Sequence, residues 1–264
     1  MKLSIIGSGN MGGAIARGLS NSNKIKASDI YCADRSIEVL NEITASNPAI
    51  NITTDNIQAI TNADIIIIAV KPWLIENVIN EIKHVINYNR QIIISIAAGV
   101  DFFKLCGYLK KDDDSIPAIF RIIPNTAIEV KESVNFVSSF NASQEQNETV
   151  IDLFNELGLT FFVEERLINA GMTLASCGIA FAFRYIRAAV EGAVELGLYP
   201  EQALEIEMQT LKGAIALLEA NNSHPEAEID KVTTPGGITI KGLNAMEEAG
   251  FTNAVIKGLK ASSI

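Results

Sequence analysis

The most informative stretch of this sequence is Gly7-Ser8-Gly9-Asn10-Met11-Gly12-Gly13-Ala14-Ile15, which directly follows an apolar run at residues 2–6. It matches the pattern G-x-G-x-x-G at the passage from a strand to a helix, which is typical of dinucleotide-binding βαβ units. In such units Gly7 would permit a tight turn, Gly9 would let the backbone approach a pyrophosphate, and Gly12 would let helix and strand pack closely. The sequence therefore predicts a nucleotide-binding loop here.

The residues after the second predicted strand bear on the choice of cofactor. Asp34 lies about 20 residues after the glycine loop, where a carboxylate commonly meets the adenosine ribose 2′-hydroxyl. Asp34 favours NAD, whereas Arg35 and Ser36 could receive the 2′-phosphate of NADP. The pattern leaves NAD and NADP open.

Two further strand ends are expected at the same edge of the sheet, because ligands of open α/β sheets bind outside the carboxyl ends of the strands. The first is Ala69-Val70-Lys71-Pro72, and the second ends in Ala97-Ala98-Gly99. The small side chains of Ala97 and Ala98 would let a flat nicotinamide ring lie close. Lys71 is equally compatible with a solvated loop lysine.

The order of predicted elements indicates an α/β fold with an N-terminal, doubly wound, mostly parallel Rossmann-type sheet and a C-terminal all-helical domain. β-branched runs alternate with helical patterns up to about residue 165, and Ala, Leu and Glu-rich helical segments follow. We expect a dinucleotide-binding domain at residues 1–164 and a separate all-helical domain at residues 165–264. The predicted strands are residues 2–6, 30–33, 65–70, 92–96, 118–122, 135–138 and 160–163.

Composition excludes several classes of function. A formal net charge of −10 argues against nucleic acid as a partner, because phosphate backbones are bound by clustered Lys and Arg. The longest apolar runs are shorter than the roughly 20 residues that span a bilayer, and the first residues do not resemble a signal peptide, so we expect a cytoplasmic protein. Three cysteines and two histidines favour neither a disulfide framework nor a metal site.

A second motif, at residues 230–243, reads Asp-Lys-Val-Thr-Thr-Pro-Gly-Gly-Ile-Thr-Ile-Lys-Gly-Leu. One interpretation is a simple helix start with Thr234 as N-cap and Pro235 at the first position. Two glycines inside a helical turn would cost up to about 1 kcal/mol each, however, which favours a functional reason for them. Bare backbone at Gly236 and Gly237 could bring amide groups onto a substrate carboxylate, and Thr239 could offer a hydroxyl.

With these motifs in order, the sequence resembles the pyrroline-5-carboxylate reductase family, whose members reduce a cyclic imine to proline in the last step of proline biosynthesis. The resemblance covers nearly the whole chain. The matching segments are residues 7–15, Asn56, residues 69–72, 95–100, 121–126 and 232–243.

This resemblance implies an NAD(P)H-dependent oxidoreductase acting on a C=N bond of 1-pyrroline-5-carboxylate. It further implies that the amides of Gly237, Ile238 and Thr239 hold the carboxylate while the Thr239 hydroxyl bonds the ring nitrogen, which makes Thr239 the candidate catalytic residue. Members form homodimers through their helical domains, often assembled into rings, with the pocket completed by the partner. The dinucleotide site would be lined by Asn10, Met11, Asn56, Lys71 and Ala97.

The chain departs from the family pattern at two places. Where members usually read Ser-Gly-Ser-Gly-Pro-Ala-Tyr, this chain has Ala175-Ser176-Cys177-Gly178-Ile179-Ala180-Phe181. Ile238 is bulkier than the Ala, Ser or Thr common at its position, although its backbone amide is unaffected.

Two alternatives stand beside this interpretation. The first is a related imine or β-hydroxyacid reductase, but the hydroxyacid enzymes rely on a lysine in the interdomain helix and residues 169–195 contain none. The second is a non-catalytic dinucleotide-sensing protein, in which the helical region serves only for assembly. Hydride transfer to any imine would exclude the second alternative.

Overall fold

The computed structural model describes residues 1–263, which form two compact units, Met1–Ser176 and residues 177–263. The N-terminal unit contains an eight-stranded sheet in the order β3-β2-β1-β4-β5-β6-β7-β8. All neighbouring strands are parallel except β6 and β7. The strands are β1 Leu3–Ile6, β2 Ile30–Ala33, β3 Asn51–Thr53, β4 Ile65–Ile68, β5 Ile92–Ser95, β6 Ile119–Ile123, β7 Ser133–Phe140 and β8 Gly158–Phe162.

The central strands are buried on both faces, which explains their unbroken apolar sequences. All four isoleucines of β4 are buried, and they alternate between two hydrophobic clusters on opposite faces of the sheet. Because the chain order reverses between β1 and β4, the carboxyl ends of these two strands form the crevice where ligands of such sheets bind.

All seven predicted strands are present, and the expected mostly parallel Rossmann-type fold is confirmed. The eighth, β3, was missed because it is a three-residue edge strand, Asn51–Thr53, whose residues are half-buried and largely polar. β7 runs antiparallel to β6 because the connection between them holds only a short 3₁₀ helix, too short for a crossover.

Seven α-helices belong to the described part of the N-terminal unit. The helical patterns between the predicted strands predict helix starts at Asn10, Ser36, Trp73 and Gln144. Those at Asn10 and Gln144 are observed, and Ser36 caps the helix that begins at Ile37. The start expected at Trp73 lies instead in a 3₁₀ turn, Pro72–Leu74, ahead of a helix at Ile75. The helices are α1 Asn10–Ser20, α2 Ile37–Ser46, α3 Asn56–Ile60, α4 Ile75–Ile82, α5 Phe102–Leu109, α6 Gln144–Asn155 and α7 Glu165–Met172.

Helix α7 packs on β6 and β7 through Ile168 and Met172, which contact Ile123. It therefore belongs to the N-terminal unit, although the change of sequence pattern places the expected domain boundary between residues 164 and 165. After α7 the chain makes a π-helical turn, Thr173–Cys177, which we call the π turn.

The C-terminal unit is entirely helical over its described residues, as expected. Of its apolar side chains only Val190 and Ala203 are buried, whereas many others, such as Phe183 and Ile215, are exposed. A unit of this size needs more buried apolar area than two side chains supply. Its helices are α8 Gly178–Glu195, α9 Pro200–Asn221, α10 Pro225–Val232, α11 Ile238–Glu248 and α12 Phe251–Ala261.

Candidate functional site

The glycine loop between β1 and α1 requires glycine at two of its positions. Gly7 has a φ of 89°, and a Cβ atom there would lie 2.8 Å from Val70 Cγ1. A Cβ atom on Gly12 would lie 1.9 Å from the carbonyl oxygen of Gly7, so only glycine lets α1 start this close to the loop. Gly9 faces open space, with no atom within 4 Å of a Cβ atom. The loop thus leaves bare backbone exposed where a pyrophosphate would approach.

The N-terminus of α1 is free to bind an anion. Its N-cap is Gly9, no side chain caps its amides, and no acidic residue lies in its first turn. By contrast, Ser36 caps α2 and Asp101 caps α5 with their side chains. The first amides of a helix have no partner within the helix, so those of α1 are available to a phosphate group.

The Asp34 carboxylate ties the glycine loop to the end of β2. Its Oδ2 accepts a hydrogen bond from the Ser8 amide at 2.8 Å, and its Oδ1 accepts one from the Ser36 amide at 3.0 Å. Each oxygen keeps a second lone pair with which it can accept a ribose hydroxyl. Asp34 is therefore both a structural link and a candidate ribose ligand.

Next to Asp34 the charges are mixed. The Ser36 hydroxyl donates to Glu38 Oε2 at 2.6 Å, and this hydrogen bond holds the pKa of the Glu38 carboxyl below its usual value. Arg35 is exposed and has no ion pair among residues 1–263. Of these groups the Arg35 guanidinium is the cation that can meet a 2′-phosphate.

A cleft of about 850 Å³ runs along the carboxyl ends of the central strands. This volume suits an extended organic cofactor. Three residues predicted for the cofactor site, Gly12, Ser36 and Gly99, do not line it. The predicted residues that do are Gly7, Gly9, Asn10, Met11, Asp34, Arg35, Asn56, Ala69, Val70, Lys71, Pro72, Ala97 and Ala98.

Sequence reasoning missed one side of this cleft. Thr126, Ile128 and Glu129 line it from the 3₁₀ helix that follows β6, and Glu129 Oε1 pairs with Arg17 Nη2 at 3.1 Å. The signal was available, because β6 ends at the same edge of the sheet as β4 and β5. The other unpredicted lining residues are Ile6, Ala14, Arg17, Ala33, Leu74, Val78 and Ile96.

Two predicted polar residues differ in their freedom to bind. Asn56 Nδ2 donates to Glu81 Oε2 at 3.0 Å, so one of its amide protons is engaged. Lys71 is exposed, and its ammonium group forms no ion pair within the described chain. Lys71 thus adds an unpaired positive charge to the cleft.

In the C-terminal unit, the interpretation of Thr234 as a helix N-cap is wrong. Helix α11 begins at Ile238, and its N-cap is Gly237. Pro235 and Gly236 form a turn before the helix, closed by the Gly237 amide donating to the Thr234 carbonyl at 2.9 Å. Gly236 has a φ of 73°, which favours glycine. Neither glycine lies inside the helix, so the helix-propensity argument does not apply to them.

The N-terminus of α11 resembles that of α1, since it lacks a side-chain cap and an acidic residue in its first turn. The Gly237 amide is engaged in the turn, which leaves the amides of Ile238 and Thr239 as donors at the helix start. Both side chains are exposed, and the Thr239 hydroxyl has no hydrogen bond to the described residues. This end can accept a carboxylate beside a free hydroxyl.

Two family models match the chain. One, described as pyrroline-5-carboxylate reductase dimerisation, matches residues 165–263. The other, described as NADP oxidoreductase, coenzyme F420-dependent, matches residues 2–99. Together they cover the glycine loop and all the helices of the C-terminal unit.

Two relatives and one solved structure extend these matches. The chain is 38% identical to pyrroline-5-carboxylate reductase 1 of Dictyostelium discoideum over 99% of this chain, but it spans only 48% of that relative's length. It is 37% identical to reductase 2 of the same organism, over 99% of this chain and 90% of that protein. The crystal structure of Plasmodium falciparum pyrroline carboxylate reductase with NADP bound aligns with a TM-score of 0.89 at 28% identity, over 99% of this chain and 95% of that one.

The matches run through both structural units in the order of the chain. The chain is 37% identical to reductase 2 and covers 90% of that protein's length. This similarity establishes common descent rather than a shared architecture alone. With its free helix N-terminus at the glycine loop and its matched helical segment, this chain belongs to the pyrroline-5-carboxylate reductase family.

Proposed function

We propose that this protein reduces 1-pyrroline-5-carboxylate to L-proline with NADPH, the last step of proline biosynthesis. The full-length family match carries the proposal. The glycine loop supports it, because its open Gly9 and the uncapped amides of α1 fit a dinucleotide pyrophosphate. The β-hydroxyacid alternative lacks its lysine, and the non-catalytic alternative does not account for the free Thr239 hydroxyl.

We assign the cofactor site to the predicted residues that line the cleft. The adenosine end lies at Asp34 and Arg35, and the nicotinamide end lies at Ala97 and Ala98. The bound NADP of the Plasmodium structure and the unpaired Arg35 favour NADPH over NADH. Gly12 and Ser36 act on this site through the backbone, since Gly12 permits the loop and Ser36 donates its amide to Asp34. Gly99, with a φ of 77°, allows the turn after β5.

Substrate binding is assigned to the segment from Gly236 to Thr239. The Ile238 and Thr239 amides would hold the carboxylate, while Gly236 and Gly237 shape the turn that exposes them. The reduced nicotinamide supplies a hydride to the imine carbon, and the ring nitrogen takes a proton. The Thr239 hydroxyl would orient that nitrogen and relay the proton from a water molecule, because threonine itself is a weak acid. The protein's main contribution is the alignment of two flat rings.

We propose a homodimer formed through the C-terminal helices, with the substrate pocket completed by the partner and with rings of dimers as the larger assembly. The dimerisation model spans residues 165–263, and the C-terminal unit leaves most of its apolar side chains exposed. One helical stretch, Glu165–Glu195, is long and apolar enough to cross a membrane by length and composition alone. Within this stretch α7 packs on the sheet of its own chain, and a partner copy covering α8 would account for the exposed apolar side chains there. The expected location is the cytoplasm, where unpaired cysteines are the rule.

The direct test is the loss of reduced-nicotinamide absorbance with 1-pyrroline-5-carboxylate, run in parallel with NADH and NADPH. We expect turnover with proline as product, and a higher kcat/KM with NADPH. Turnover with NADH alone would remove the assignment of Arg35 to a 2′-phosphate. Binding of both cofactors without turnover would overturn the proposed reaction in favour of another imine or of a dinucleotide-sensing role.

A further inference from the structure

The π turn is joined to the strand end beside the cofactor cleft by two hydrogen bonds. The Ser176 hydroxyl donates to the Pro124 carbonyl at 3.0 Å, just after β6. Asn125 Nδ2 donates to the Ala175 carbonyl at 3.3 Å. All four residues belong to the N-terminal unit. The wide π turn thus presents one carbonyl and one hydroxyl to the sheet. In a regular helix these two groups would form hydrogen bonds within the helix or face water.

Asn125 carries this connection into the wall of the cleft. It is 4% exposed, and its Oδ1 accepts a hydrogen bond from the Ala127 amide at 3.0 Å. That bond caps the 3₁₀ helix Thr126–Val130, which we call the wall segment. The backbone amide of Asn125 in turn donates to the buried Ser133 hydroxyl at 3.1 Å. One buried amide side chain therefore bonds the wall segment on one side and the π turn on the other.

In the cofactor orientation proposed above, the wall segment lies at the nicotinamide end of the cleft. The strand order places β6 three strands from β1 and next to β5, whereas Asp34 follows β2 on the other side of β1. Adenosine bound at Asp34 therefore directs the nicotinamide toward Ala97 and Thr126, which both line the cleft.

We propose that the π turn backs the nicotinamide end of the cleft, with Ser176 and Asn125 as positioning residues that hold the wall segment in place for hydride transfer. This inference rests on the proposed reductase function. Neither side chain lines the cleft, so both act through the wall segment rather than on the cofactor.

The test compares Ser176→Ala with Ser176→Thr, which keeps the hydroxyl. We expect the alanine variant to lower kcat about fivefold, the effect of one hydrogen bond, and the threonine variant to stay within about twofold of the wild type. The affinity for NADPH should change by less than about twofold, because the adenosine and pyrophosphate contacts are untouched. Energy transfer from Trp73, the chain's single tryptophan, to bound NADPH measures that affinity.

A readout independent of turnover is hydrogen exchange at the wall segment. The amides of residues 126–130 should exchange about fivefold faster in Ser176→Ala. In this variant Pro124, which precedes the capping residue Asn125, loses the hydrogen bond that its carbonyl accepts from Ser176. The matched control is Thr173→Val. Thr173 also lies in the π turn, but its hydroxyl donates to the Asn169 carbonyl of its own helix at 2.9 Å. This control should lose similar stability while its kcat and wall-segment exchange remain those of the wild type.

The outcomes separate this inference from the function it rests on. A wild-type protein without turnover would overturn the reductase assignment, while faster exchange at the wall segment in Ser176→Ala would still support the link. If the wild type is active and Ser176→Ala matches it in kcat and in exchange, the positioning role is wrong. An equal loss of kcat in Ser176→Ala and Thr173→Val would reduce the effect to general stability, which also overturns it.

Discussion

Thr239 is the second residue of α11, and its hydroxyl is exposed without a hydrogen bond among the described residues. A free hydroxyl beside two unpaired helix amides suits contact with a bound imine nitrogen. We expect Thr239→Ala to lower kcat by about 10- to 100-fold, because the group acts as the nitrogen gains its proton. NADPH affinity should not change. Steady-state kinetics and Trp73 energy transfer measure the two effects.

The control for this change is Thr210→Ala in α9. Thr210 is equally exposed, but its hydroxyl donates to the Ile206 carbonyl of its own helix at 2.9 Å. It should keep full activity. Turnover near the wild-type value in Thr239→Ala would remove the assigned role, whatever the control shows.

At the scale of elements, the sequence predicted the parallel strands and the glycine loop because each has a strong local cause. The isoleucines of β4 require two buried faces, and Gly12 has no room for a side chain. The wall segment was missed although it follows the predicted strand β6, because local patterns do not show that β6 lies next to β5. The interpretation with Thr234 as N-cap placed the start of α11 at Pro235 instead of Ile238, because Pro235 fits a turn as well as a first helical residue.

One link between elements was also invisible to sequence patterns. Arg121 in β6 is 4% exposed, and its Nη1 pairs with Glu165 Oε1 in α7 at 2.6 Å. The same oxygen accepts the Phe102 amide at the start of α5 at 2.7 Å. Glu165 therefore bonds β6 and α5 from its place on α7, and it neutralises a buried guanidinium.

We expect Glu165→Ala to lower the free energy of unfolding by roughly 2–3 kcal/mol. Removing one partner leaves the Arg121 charge buried and unpaired, and the partial exposure of Glu165 places the loss below the range for fully buried pairs. Urea denaturation measures it. The neighbouring pair Glu164–Arg166 is exposed, so Arg166→Ala should change stability by less than about 1 kcal/mol. Equal losses in the two variants would contradict the role of burial.

At the scale of the whole molecule, the C-terminal unit buries too few apolar side chains within a single chain. Only Val190 and Ala203 are buried there among its apolar side chains, and an apolar groove of about 720 Å³ opens between α8, α11 and α12. Phe181 and Phe251 line this groove, and Tyr185 meets the Phe251 ring edge-on at 6.3 Å. A surface of this kind is stable in water only when another surface covers it.

A second copy is the covering surface that the dimerisation match implies, so a charge placed on these helices should separate the copies. We expect Phe183→Glu, at a side chain 65% exposed in the single chain, to shift the protein from dimer or larger assembly to monomer in sedimentation velocity, and to lower its thermal stability. Phe103→Glu is the matched control, since Phe103 is 88% exposed on α5 of the N-terminal unit and its replacement should leave assembly unchanged.

If Phe183→Glu keeps the wild-type sedimentation coefficient, this face of α8 lies outside the subunit interface. Dissociation by both variants would instead place the N-terminal unit in the interface as well. Loss of activity together with dissociation in Phe183→Glu alone would support a substrate pocket that the partner subunit completes.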